Sequence, residues 1–320
     1  MGAATQRMAR RLRRGIKSAS DAVVGALAVG MLRLMRRANP DRLADFTGWA
    51  MRHIGPLLRE NRIARANLQA AFPEKSAAEI ETILRGSWDN LGRMGAEFAH
   101  LDRLWDYDPA QPDRPGRFQV PKIGLERFAR LANDGKPALI FAAHLANWEM
   151  PGICAATYNL DSAVLYRRPN IARLDRWIAE TREASMGQLI STSLDAPIKL
   201  AEALQRGAHV GMLVDQYYVR GVPVTFFGRR TMANPLLARL ARHFDCPIHG
   251  VRIVRLPGNR FTGEMTEAIA PARDAAGKVD VAGTMQIVMG VVEGWIREHP
   301  EQWLWQHRRW RSEDEITARS

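Results

Sequence analysis

Between residues 137 and 256 short apolar runs alternate with helical ones, and this alternation limits the fold more than any other feature of the chain. "PALIFAA", "SAVLYR", "HVGMLVD" and "PIHGVRIVRL" are short and apolar or β-branched. "RLDRWIAETREAS" and "DAPIKLAEALQRG", which lie between them, read as helices. Strands that alternate with helices build a sheet with substantial parallel pairing, because a parallel neighbour requires a crossover connection. The expected fold is therefore α/β, a mixed central sheet flanked by helices. "RFTGEMTEAI" adds an edge strand, and "VAGTMQIVMGVVEGWIREHPEQWLWQ" a long helix broken near Pro300.

Upstream the pattern is helical. "SAAEIETILRGSWDNLGRMGAEFAHL" opens with a capping box, Ser76 and Glu79, then repeats Ile80, Ile83, Leu84, Trp88, Leu91, Met94 and Phe98 at helical spacing. "DYDPAQPDRPGRF" (Asp106–Phe118) breaks it with the Pro and Asp of a surface loop. Near the N-terminus, arginines in "ARRLRRGIK" and at Arg33, Arg36 and Arg37 bracket the uncharged run Ala22–Leu32. That run is shorter than the roughly 20 apolar residues a bilayer span needs. The later arginines stand where a signal peptide would carry its small-residue cleavage site. An interfacial helix with arginines snorkelling to anionic headgroups fits the pattern; a core helix with a solvated basic tail is the alternative. The expected organisation is an N-terminal membrane anchor over 1–37, a helical region over 38–105, an α/β domain over 106–311 and a tail over 312–320.

Charge narrows the partners. An excess of 46 Lys and Arg over 34 Asp and Glu leaves +12, which suits nucleic acid, an anionic membrane or phosphorylated substrates. The arginines are spread along the chain, with no zinc finger and no RNP-type motif, so no nucleic-acid partner is expected. Cys154 and Cys246 make no disulfide framework and read as packing residues. With no H-E-x-x-H and no cysteine pair, no metal site is expected.

In open α/β sheets ligands bind beyond the carboxyl ends of the strands. His144, Arg167 and Asp215 each stand at such an end. "LIFAAHLANWEMPG" passes from a strand through His144 into a helix that Asn147 would cap, with Glu149 in the first turn near the positive end of the dipole. A carboxylate that fixes the imidazole's tautomer leaves the other nitrogen free to take a proton. No G-x-S-x-G elbow and no adjacent Cys supplies a nucleophile, so the proton would come from a substrate hydroxyl. Plain capping of a strand and a helix is the alternative for the same two residues. Asp215 and Gln216 lead into "VPVTFFG", with Phe226 and Phe227, then Arg229 and Arg230. That segment reads either as an exposed aromatic loop for an acyl chain with a phosphorylated head or as a packed β-hairpin. "YRRPN" sets Arg167 and Arg168 where a guanidinium can fork onto a phosphate, a solvated charge being the alternative.

"AAHLANWE", "YRRPN", "DQ…VPVTFFG", "AFPEKS" and "PEQWLWQHRRW" together resemble the late (secondary) lipid A acyltransferases. These are the lauroyl/myristoyl transferases of the lysophospholipid acyltransferase superfamily. The resemblance runs in order from about residue 20 to residue 311. It implies a glycerolipid acyltransferase-like fold, with 106–311 as the catalytic domain. It implies His144 and Glu149 as the catalytic pair and Arg182 of "AETREASMG" as the arginine tied to them. Asp215 and Arg167 match further family positions, although Arg168 stands where the family's Tyr-Arg-Pro pattern has proline.

The reaction so implied moves a fatty acyl group from acyl carrier protein to a hydroxyl of a lipid A precursor, with His144 as base and no metal or organic cofactor. Arg167, Asp215, Gln216, Phe226 and Phe227 are the expected substrate-binding residues, and Met212 with the two phenylalanines would line a tunnel that sets acyl length. The implied partners are acyl carrier protein, the phosphorylated lipid A precursor and anionic membrane lipids, at the cytoplasmic face of a bacterial inner membrane. Two alternatives stand beside this reading. One is an acyltransferase for another glycolipid or a lysophospholipid. The other is an inactive membrane-associated lipid-binding protein.

Overall fold

The computed structural model describes residues 22–108, 110–111, 114, 116–167 and 172–311. The basic segment before residue 22, Arg168 and the rest of "YRRPN" after it, and the tail over 312–320 lie outside them.

The described residues open with four helices: α1 (22–35), α2 (Pro40–Ile54), α3 (Glu60–Ala71) and α4 (Ala77–Phe98). The Ser76–Glu79 capping box is present on α4 with both reciprocal hydrogen bonds. The apolar stripe of α4 buries Ile80, Leu84 and Trp88 in the same core as Leu68 of α3, Phe141 of the sheet and Trp303 near the C-terminus.

The α/β part follows as β1 (Phe118–Gln119), α5 (Lys122–Asn133), β2 (Leu139–Ala142), α6 (Met150–Thr157), β3 (Ser162–Tyr166), α7 (Ala172–Met186), β4 (Gln188–Ser191), α8 (Ala196–Gln205) and β5 (His209–Leu213). A hairpin of β6 (Val222–Phe226) and β7 (Arg229–Ala233) precedes α9 (Leu236–Phe244), β8 (Ile248–Leu256), β9 (Arg260–Met265) and α10 (Val281–Glu298). Seven strands form one sheet in the order β1-β9-β8-β2-β5-β3-β4. Every neighbouring pair in it is parallel except β8 with β9. The mixed sheet flanked by helices is thus the fold expected from the alternation.

Two details differ. "RFTGEMTEAI" does not form the edge: β9 lies between β8 and the two-residue β1. The opposite edge, β4, follows Gly187, whose φ of +77° suits glycine; its "QLIS" is too short and polar to read as an apolar run. The helix break near Pro300 is present. Residue His299 leaves helical geometry, and the chain turns extended at Trp303.

Among the described residues no helix is long and apolar enough to cross a membrane. Instead α1 exposes Val23, Leu27, Met31 and Leu34, and α2 with the turn after it exposes Phe46, Trp49 and Leu57. Arg36 ties the end of α1 to the body through a paired contact with Asp102, at 2.8 and 2.6 Å, and a bond to Ala99 O at 3.2 Å.

Candidate active site

His144 lies just past β2, where the sheet ends and its backbone groups need new partners. Its backbone N–H donates to Asp215 Oδ2 at 2.9 Å, and its Nδ1 lies 2.8 Å from Asp215 Oδ1. Asp215 follows β5, the direct parallel neighbour of β2, so strand pairing sets this juxtaposition. A carboxylate only accepts, so Nδ1 carries the proton and Nε2 keeps its lone pair. Gln216 Nε2 lies 3.2 Å from that nitrogen and donates to it. Asp215 is fully buried. Burial alone would raise its pKa, but the electrostatic interaction and hydrogen bond with His144, with the Trp303 indole, hold the carboxyl below the usual carboxylate range.

The carboxylate behind His144 is therefore Asp215, and the expectation that Glu149 orients the imidazole is corrected. Glu149 faces Arg182 on α7. Arg182 Nε donates to Glu149 Oε2 at 2.9 Å, and Nη2 donates to Oε1. The guanidinium also packs over the rings of Phe98 and Tyr166. Glu149 is only 5% exposed, so this ion pair is the main compensation for a buried charge. Asn147 does not cap the helix as expected. Helix α6 opens at Met150, and Asn147 Oδ1 accepts the Glu149 N–H at 3.2 Å while its amide donates to Glu97 Oε2 at 2.8 Å.

The C-terminal strap holds this loop from behind. Leu304 N–H donates to His144 O at 3.1 Å, and Ala146 N–H to Gln302 O at 2.9 Å. Ala146 adopts φ +48°, an uncommon conformation for a residue with a Cβ. Trp303 Nε1 donates to Asp215 Oδ2 at 2.7 Å. Beneath lies a buried network in which Arg255 pairs with Glu97 and donates to Asn90 Oδ1 at 2.9 Å, and Asn90 donates to Gln302 O at 3.1 Å.

A cleft of about 550 Å³ opens beside His144. His144, Glu149, Arg167, Arg182, Gln216 and Met212 all line it, so the chain brings six of the expected residues to one cavity. Arg167 stands exposed at the end of β3. Phe226 and Phe227 do not line it. They belong to a packed hairpin, which corrects the exposed-loop reading. Its two-residue turn, Phe227–Gly228, has positive φ at both positions, the geometry that matches strand twist. Both phenyl rings are buried among Trp303, Trp305 and Trp310.

Sequence reasoning missed Trp303, His307 and the Asn90–Glu97–Arg255 network. One signal was available: Ile83, Asn90 and Glu97 repeat every seven residues along the apolar stripe of α4, and a polar side chain on a core-facing stripe needs a buried partner. His307 is a second imidazole behind the site, partly buried, its ring centroid 6.5 Å from that of His144. Burial pushes its pKa from 6.5 down to about 4, against the pull of Asp215. The unfolded chain therefore binds this proton first as pH falls. The stability that a neutral His307 permits is complete above pH 6.5 and is lost between about 6.5 and 4, by up to roughly 3 kcal/mol. His307→Asn should flatten the fall of Tm across this window. Parallel Tm–pH curves for variant and wild type would refute the assignment.

A mixed, mostly parallel sheet with a carboxylate-backed histidine at its carboxyl edge, opening on a largely apolar cleft, is an α/β scaffold equipped for general-base chemistry on an apolar substrate. A family model described as "Bacterial lipid A biosynthesis acyltransferase" matches residues 8–312, and the chain belongs to that family. It is 25% identical over 271 residues to the lipid A biosynthesis palmitoleoyltransferase of Escherichia coli (strain K12), covering 80% of each chain. It matches the lipid A biosynthesis acyltransferase of Shigella flexneri to the same extent, 25% over 271 residues and 80% of each.

Proposed function

We propose that this protein transfers a fatty acyl chain from acyl carrier protein to a hydroxyl of a phosphorylated lipid A precursor, at the cytoplasmic face of the inner membrane. The observation that carries the reading is His144 itself: Nδ1 is fixed by Asp215, and Nε2 is turned toward a cleft large enough for a lipid chain, in a chain of this family. The acceptor hydroxyl displaces the Gln216 amide and donates to Nε2. His144 takes that proton as the oxygen attacks the thioester carbonyl carbon. The tetrahedral intermediate collapses, the C–S bond breaks, and the thiolate leaves with the proton from the imidazolium. Gln216 and the Nη1 of Arg182, which Glu149 does not use, are the donors at hand for the oxyanion. Arg167 at the cleft rim meets acceptor phosphate or the acidic carrier protein. No cofactor takes part in this scheme.

The test is transfer of a labelled acyl group from acyl carrier protein to purified precursor, with a lysophospholipid and an ornithine lipid as rival acceptors. Transfer to the rivals alone would reassign the acceptor. Absence of transfer to any would leave a lipid-binding protein.

The exposed apolar faces of α1 and α2, flanked by the exposed Arg33, Arg37, Arg42 and Arg52, support a seat on the membrane surface. Anionic vesicles should bind the protein more tightly than neutral ones. Trp49→Glu should lower the partition coefficient by about tenfold or more, since a large apolar side chain leaves the interface. Deletion of residues 1–37 should release much of the protein from membranes. Sedimentation unchanged by both alterations would place the contact on another surface.

A further inference from the structure

The cleft runs down the sheet as well as opening at its edge. It is lined along β2 from His144 back to Ile140, along β3 from Tyr166 back to Ser162, and along β5 from Leu213 back to His209. At about 3.3 Å per strand residue this is a depth of roughly 13 Å. Two walls of opposite character meet at the bottom. One is polar. Ser162 and His209 are cross-strand partners and each is 7% exposed. Among the described residues Ser162 Oγ and His209 Nδ1 have no hydrogen-bond partner, while His209 Nε2 is engaged with Leu131 O at 3.3 Å. Both atoms are buried, so an apolar chain end brought to this level supplies neither with the partner it lacks, and the position favours a polar group over a methyl.

The other wall leads to a second cavity. It lies between the sheet, α5 and α6, has a volume of about 100 Å³, and its surface is almost wholly apolar. Among the described residues Ile140, Pro151, Ala155 and Leu160 line both cavities, so their side chains form the shared partition. A methyl-sized side chain at Ala155 makes that partition thin.

Building on the acyl-transfer reading, we propose that the donor's acyl chain descends the cleft, turns between Ala155 and Ile140, and places its methyl end in this chamber, with Ser162 and His209 as a polar stop at the bottom. The chamber, rather than the hairpin phenylalanines, then sets which chain length fits.

The chamber carries its own reporter. Trp105 lines it, whereas Trp148 lines the cleft near His144. Free fatty acids brominated near the methyl end or near the carboxyl end serve as quenching probes of tryptophan emission. The methyl-end bromine should quench a component that disappears in Trp105→Phe; the carboxyl-end bromine should not. Equal quenching of that component by both probes, or none by the methyl-end probe, would overturn the proposal. This readout needs no turnover. If no donor is transferred, the acyl-transfer reading fails, yet the quenching still decides whether a chain reaches the chamber. Filling the partition with Ala155→Phe should shift the kcat/KM ratio toward decanoyl over hexadecanoyl donors by at least about tenfold. Each methylene left in water costs roughly fourfold. An unchanged ratio in a variant with a cooperative melt would refute the path. So would selectivity that follows the acceptor's chain length instead of the donor's. Should Ala155→Phe not fold, Ala155→Val and the wild-type quenching give the answer.

Discussion

Asp215→Asn is expected to cost roughly 10³–10⁴-fold in turnover while leaving the protein folded. The carboxylate is fully buried and accepts from Nδ1 of His144, from the His144 backbone N–H and from the Trp303 indole. An asparagine keeps the shape and can still accept from two of these donors. Where its amide N–H faces Nδ1, it forces the imidazole proton onto Nε2. The base then has no lone pair in the cleft. His144→Ala should lose 10²–10⁴-fold by removing the base outright. The double variant should be little worse than His144→Ala, because residues that act as one unit are not additive. Measured with saturating donor and acceptor, Asp215→Asn within tenfold of wild type would refute the His144–Asp215 unit. Because the Asp215 pKa is held low, activity should not fall with its titration until pH drops below the ordinary carboxylate range.

How much of this was legible follows from the range of each interaction. The strand ends were readable because apolar runs stop abruptly at His144 and Asp215, and a sheet places successive carboxyl ends along one edge. Which strand lies beside which was not readable. The pairing of β2 with β5 makes Asp215, 71 positions away in sequence, the partner of His144, whereas proximity in sequence favoured Glu149. The hairpin misled for a different reason. "VPVTFFG" is apolar enough for either a lipid contact or a core, and only the tryptophans of the C-terminal strap, folded over it, decide for the core. The strap's role was equally hidden, since its contacts to His144 and Ala146 are made by backbone atoms and carry no residue signature.

The pair of Glu149 and Arg182 separates stability from chemistry. Arg182→Met leaves a nearly buried carboxylate without its counter-charge, a loss on the order of 3–5 kcal/mol. Part of that loss is the packing of the guanidinium over Phe98 and Tyr166. Arg182→Lys should recover little, because an ammonium cannot reproduce a two-point contact with both carboxylate oxygens. Adding Glu149→Leu to Arg182→Met removes the orphaned charge and should restore much of the lost stability in denaturant unfolding. Turnover should not follow. Both side chains line the cleft beside His144, and the Arg182 donors that remain free are lost in the double variant. We therefore expect kcat to stay at least about 10²-fold below wild type, at a temperature where every variant is folded. A double variant that regains stability and turnover together would make the pair a structural clamp with no part in the reaction. A single Arg182→Met variant with wild-type stability would show instead that water already compensates the Glu149 charge.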